Sequence, residues 1–195
     1  CGLILPIIFE VTSSSKIGNR QVPYSKQTSK KDSPENVGKT NHVIKHKQFS
    51  TEKFIDHCNN GYFIDASRFI QSVDRNDVRV QYYLGLMYHS GQGVVKDQYE
   101  AVVWSRKAAE RGHADAQFLL GSCYYRGEGV VKDNVEAVKW FRKSAEQGLA
   151  GAQYNLGFCY EKGKGVKQNY KKAVEWYLKS AEQGDAEAQC NLGNC

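Results

Sequence analysis

Six cysteines and five histidines are the residues of this 195-residue chain whose types invite metal or redox chemistry. His42 and His46, with His57 and Cys58 further along, have the types of a zinc site. No Cys-x-x-Cys accompanies them, so the signal is weak, and solvent-exposed histidines on a mobile tail are the preferred reading. Cys123 and Cys159 stand 36 residues apart, and Cys195 continues the same step. Stacked helices lie about 8–10 Å apart, whereas a disulfide needs Cα atoms within about 7 Å. These three therefore read as small core residues. His89 and Ser90 are adjacent, and neighbouring side chains on one helix diverge, so they make no catalytic dyad. Gly-x-Gly-Val recurs at 91–94, 127–130 and 163–166. Phosphate-cradling loops follow strands and carry a further glycine; these follow helices and lack it. No catalytic residue, cofactor or metal is expected.

The elements that carry these residues come from a repeat. Gly85, Gly121, Gly157 and Gly193 are each 36 apart, as are Gln81, Gln117, Gln153 and Gln189. Trp104, Trp140 and Trp176 keep the same step, as do Tyr88, Tyr124 and Tyr160. The units are 78–113, 114–149 and 150–185, with a partial fourth over 186–195. Ala116, Leu120, Cys123 and Tyr124 follow the i, i+4, i+7, i+8 spacing of one helical face. After a glycine break a second amphipathic run carries Val135, Val138, Trp140, Phe141 and Ala145. Each unit is thus helix A, a loop, helix B and a turn. In the second unit the helices are expected over about 114–126 and 134–147.

Asp97, Asp133 and Asn169 precede helix B and are placed to cap it. Glu100 and Glu136, three residues later, suggest capping boxes, and Lys172 in the third unit a weaker cap. Gly112, Gly148 and Gly184 sit where a left-handed residue ends helix B. Gly85, Gly121 and Gly157 lie mid-helix, where glycine costs about 1 kcal/mol relative to alanine. The expected compensation is close approach of helix B at Ala101, Ala137 and Ala173, sealed by the Trp that follows each.

The pattern A-x-A-Q-x-x-L-G-x-x-Y-x-x-G-x-G-V-x-x-D/N-x-x-x-A-x-x-W-x-x-K-x-A-E-x-G resembles the Sel-one-like repeat (SLR), a relative of the tetratricopeptide repeat. Residues 114–149 match nearly throughout; Val78, Val80 and the pair Gln168-Asn169 depart from it. The resemblance implies an all-α fold, a right-handed superhelical solenoid of about three and a half helix-pair repeats. It implies scaffold or adaptor work and brings no catalytic residues. One bacterial branch of the family bridges two cysteines within each repeat. Helix B carries no cysteine in this chain, so that framework is absent and a reducing, cytoplasmic compartment is favoured, with an exported bacterial protein as the alternative.

The net charge is +6, too little for the basic stripe of a nucleic-acid binder. The excess sits in the first 75 residues, with 11 Lys/Arg against 7 Asp/Glu. All three prolines lie in the first 34 residues, among serines and lysines. Residues 1–47 read as a flexible segment. Its apolar start, Cys1 to Phe9, reads as a short buried segment, the end of a cut signal, or a lipid-bearing Cys1. Met87 is the only methionine, which suggests a processed product or a fragment. Residues 48–75 read as a degenerate helical cap, with Ala66 and Phe69 standing in for the Ala and Trp of helix B.

Positions that differ between units are free for recognition. On helix A these are Arg79, Tyr83 and Leu86, then Asp115, Leu119, Ser122 and Arg126. The third unit adds Asn155, Phe158 and Lys162, and the fourth Asn191. Helix A lines the concave side in stacks of helix pairs. Tyr83, Leu119 and Phe158 are therefore either anchors for a peptide or helical segment of another protein, or packing between neighbouring helices. The expected function is a non-enzymatic protein-binding scaffold, with no nucleic acid or small-molecule substrate. The alternative is a recruiting or regulatory region of a larger enzyme, such as a signalling kinase.

Overall fold

A computed structural model describes residues 38–193, with side chains from residue 45 onward. Cys1, the apolar start, the side chain of His42, and Cys195 lie outside the described residues. Among the described residues the regular structure is helical: α1 (Gly38–Asn59), α2 (Phe63–Ala66), a 3-10 turn (Ser67–Phe69), α3 (Val78–Ser90), α4 (Gln98–Glu110), α5 (Ala114–Arg126), α6 (Asn134–Glu146), α7 (Ala150–Lys162), α8 (Tyr170–Glu182) and α9 (Ala186–Gly193). Each A–B pair packs closely (α3 on α4, α5 on α6, α7 on α8), and each helix B packs on the helix A that follows. Helix α1 begins at Gly38, inside the stretch expected as linker.

The expected caps form, with one correction. Asp133 accepts from Val135 N and Glu136 N, Asp97 from Tyr99 N and Glu100 N, and Asn169 from Lys172 N alone. The reciprocal half of the capping box does not form. The backbone N–H that Glu would accept is already donated to the carbonyl of Tyr88, Tyr124 or Tyr160 at the end of helix A. Glu136 turns outward and pairs with Lys139.

Glycine at Gly121 does serve close approach. A Cβ there would lie 2.7 Å from the Phe141 ring and 3.3 Å from the Ala137 carbonyl. The group over the glycine is the residue four past the alanine, Ser105, Phe141 or Tyr177, rather than the Trp. The Trp sits beside it: Trp140 is 8% exposed and Trp104 and Trp176 are half-buried. Each indole is covered by the lysine three residues later, at 4.1–4.3 Å. Cys123 and Cys159 are buried in the core, and burial pushes their thiols up to about 12.

Units are joined by a buried glutamine ladder. Gln117 Nε2 donates to Ala109 O at the end of the preceding helix B (3.0 Å), and Gln153 does so to Ala145 O (3.2 Å). Their Oε1 atoms accept from Gln147 and Gln183 at 2.7 and 2.8 Å. Arg111 takes that donor role for Gln81. Gln117 and Gln153 thus each tie their own helix A to two helix B ends, whereas Gln81 donates to Arg75 O at 3.0 Å. Gln117→Leu removes one of two donors to the Ala109 carbonyl, which keeps Gly112 N–H at 3.0 Å, and returns the exposed Gln147 amide to water, so each lost bond costs about 0.5–1.5 kcal/mol. Urea denaturation is expected to show a loss of about 1–3 kcal/mol. A loss within about 0.5 kcal/mol, the scale of an inert surface change, would remove the ladder from the account of stability.

At the N-terminal end Phe54, Ile55 and Cys58 of α1, with Phe63 and Ala66 of α2, cover Val80, Leu84 and Met87 of α3. The short α2 and its 3-10 turn occupy the helix B place. A Cβ at Gly93 would strike the Phe63 carbonyl at 2.3 Å, as one at Gly129 would strike Gln98 O in α4.

Candidate partner-binding face

The helix A row is where the residues expected to meet a partner lie, and the stack itself uses several of them. Leu119 is 8% exposed and belongs to the core formed by α4, α5 and α6, beside Val78, Tyr82 and Leu86. Ser122 is buried, and its hydroxyl donates to Phe118 O at 3.0 Å. Neither is available to a partner, because the preceding helix A lies against this side of α5. Leu86 is half-buried between two core clusters.

Tyr83 is half-buried. Its ring meets Phe54 edge-on at 6.4 Å, and its hydroxyl donates to Asn59. Arg79 is held by Asp77 at 2.7 Å and Glu52 at 2.9 Å. Burial works to raise the Asp77 pKa, but its bonds to Arg79 outweigh that and lower it. Asn155 and Asn191 are half-buried; Asn155 donates to Gly151 O at 3.0 Å and Asn191 to Tyr154 OH at 3.4 Å.

The more open members are Arg79 and Asp115 in the first turns of α3 and α5, and Arg126, Phe158 and Lys162 toward the C-terminal ends of α5 and α7. Phe158 is half-buried against the core of the third unit, with Lys162 and Lys164 over its ring at 6.0 and 5.8 Å. Arg126 and Lys162 are exposed. Arg126 lies 3.9 Å from Glu128, and Lys162 lies 2.5 Å from Glu161. Asp115 is half-exposed, 3.8 Å from His113 Nδ1.

A second aromatic row escaped the sequence reading although its step is also 36: Tyr82, Phe118 and Tyr154. Tyr82 stacks at 4.6 Å on His113, the residue that caps α5, and the Phe118 ring would lie 3.4 Å from a Cβ at Gly151. Burial pushes the Tyr154 phenol up to about 12, with the Glu187 charge adding to it. These rings join one helix A to the next. Two grooves on the helix B side also went unread: one beside Ile70, Tyr88 and Trp104, the other beside Tyr160, Lys172 and Trp176. Among the described residues no three His, Cys, Asp or Glu side chains are placed to hold a metal, and no helix is long and apolar enough to cross a membrane.

The Sel1 repeat profile matches residues 78–113, 114–149 and 150–185. The chain belongs to the Sel1 repeat family. Solved structures agree with the match. A Sel1 repeat protein from Oxalobacter formigenes is 38% identical (TM-score 0.70), over 74% of this chain and 58% of that one. Another is c5321, a protective antigen present in uropathogenic Escherichia coli strains that displays an SLR fold. It is 33% identical (TM-score 0.71), over 83% of this chain and 36% of that one. The Helicobacter pylori cysteine rich protein B shares the fold at 22% identity, over 73% of this chain and 96% of that one, with a TM-score of 0.51. This Sel1 repeat chain thus spans 58% and 36% of the length of the first two. No curated protein matches it. Cys123 and Cys159 of its Sel1 units form no disulfide.

Proposed function

We propose that this chain is a non-enzymatic scaffold that docks a segment of another protein on its helix A face. Sel1 repeat proteins are generally protein-interaction scaffolds, and one observation supports this face. The side chains repeated in every unit are consumed by the seams: the glutamine ladder, the mid-helix glycine and the indole with its lysine. Among the side chains that differ between units, Arg79, Asp115, Arg126, Phe158 and Lys162 still reach solvent. They lie on one side of the stack, and inner surfaces of solenoids are extended binding surfaces.

A photo-crosslinking residue at position 158 captures the partner, whose affinity is then measured with purified components. Phe158→Asp is expected to weaken binding at least about tenfold, the scale of a lost interface anchor, with the melting transition still cooperative. Tyr83→Asp is expected to lower the melting temperature as well, because Tyr83 also packs on Phe54. Partner affinity unchanged in Phe158→Asp would move the site off this face.

A further inference from the structure

We propose that the junction of the second and third units is a receptor for an acidic segment of the partner, a reading that rests on the helix A face as the docking surface. Two half-buried rings, Tyr125 and Phe158, lie at this junction. Lys132 Nζ stands 6.0 Å and Lys164 Nζ 5.5 Å from the centre of Tyr125. Lys162 and Lys164 stand 6.0 and 5.8 Å from the centre of Phe158. Lys164 also donates to Tyr125 OH at 3.1 Å, which bridges the two units. Arg126 follows Tyr125 in the chain and is exposed.

Three lysines therefore stand within about 6 Å of the two rings, with Lys164 shared between them. Two carboxylates are near. Glu161 is held by the Tyr177 hydroxyl at 2.7 Å and by Lys162, and Glu128 lies 3.9 Å from both Arg126 and His89. The excess is positive, and the rings beneath it are sites for apolar contact.

Packing does not require this cluster. The places of Tyr125 and Phe158 are filled by His89 and Leu86 in the first unit, and the place of Lys164 by Gln92 and Glu128. Units stack alike without it, so the cluster is a property of one junction. An acidic segment with an apolar or aromatic side chain complements it in both charge and surface. The modest charge of the repeats, 16 Lys/Arg against 14 Asp/Glu from residue 76 onward, favours a protein segment over nucleic acid.

The test measures binding of a fluorescein-labelled Glu-rich peptide with a central Phe, and of its Gln counterpart, to the full chain by anisotropy. The acidic peptide is expected to bind at least about tenfold more tightly. Lys132→Gln with Lys164→Gln removes that preference, and Lys179→Gln, on the helix B side, keeps it. Both lysines are exposed on loops, so melting curves should match the parent chain. Equal affinity for the two peptides overturns the proposal, as does an unchanged preference in the double variant. A DNA duplex that competes as strongly as the acidic peptide overturns it too. If partner capture still depends on Phe158 while the peptide fails, the docking face stands and the acidic segment falls. If neither depends on these residues, both fall.

Discussion

Gly129→Ala lowers stability by about 2–5 kcal/mol in chemical denaturation, the sum of a left-handed backbone cost and forced overpacking. The residue has φ +68°, where an L side chain is strained. Its added Cβ would lie 2.0 Å from Gln98 O and 2.9 Å from Tyr99 N. Those atoms are backbone in the first turn of α4, so no rotamer change relieves the clash; the junction between the first and second units has to open. Gly148→Ala is the control. It has φ +95° and nothing within 4 Å of a Cβ, so only the backbone cost remains, about 1–2 kcal/mol. Equal losses at the two positions would show that turn geometry, not contact between units, is what Gly129 serves.

Trp140→Ala costs about 3–5 kcal/mol, as truncation of a large core aromatic does. Trp140 is 8% exposed and packs with Leu120 and Cys123 of α5. Lys143 covers it at 4.2 Å. Its Nε1 is buried with no hydrogen-bond partner, so the carbon surface of the ring holds it. The half-buried Trp176 loses less on truncation, about 1–3 kcal/mol by area. Guanidinium titrations of the two variants rank them. A Trp140→Ala loss below about 1 kcal/mol would contradict the packing described.

The period and the helix ends were legible because they are written locally. Helix A of the second unit runs Ala114–Arg126, the span expected, and helix B ends at Glu146, one residue short. An Asp before a helix and a Gly after it act on the next three or four residues, which a sequence shows directly. The glutamine ladder was visible only as a recurrence. The groups that satisfy Gln117, Ala109 O and Gln147, come from two different helix B ends, and no local rule joins them. The capping boxes failed for a similar reason: the competing acceptor, the Tyr124 carbonyl, lies across a loop. For the candidate face, variation between units pointed to the side of helix A but could not grade exposure. How far α5 presses on α3 depends on the stacking geometry, which buries Leu119 and Ser122 and leaves Phe158 half open. The lysines of the loops were passed over because their convergence on Tyr125 needs two units side by side.

The seams also set how this chain acquires its structure. Gln117 reaches Ala109, eight residues back, and Gln147 reaches Gln117 across 30; Lys164 reaches Tyr125 across 39. Bonds of that span give a low contact order, and little loop-closure entropy opposes each step. A unit leaving the ribosome can close on the one before it as soon as its own two helices have emerged, without waiting for the rest. During synthesis α1 and α2 emerge before α3 and give it a surface to settle on, and each later unit has the same local route at its own junction.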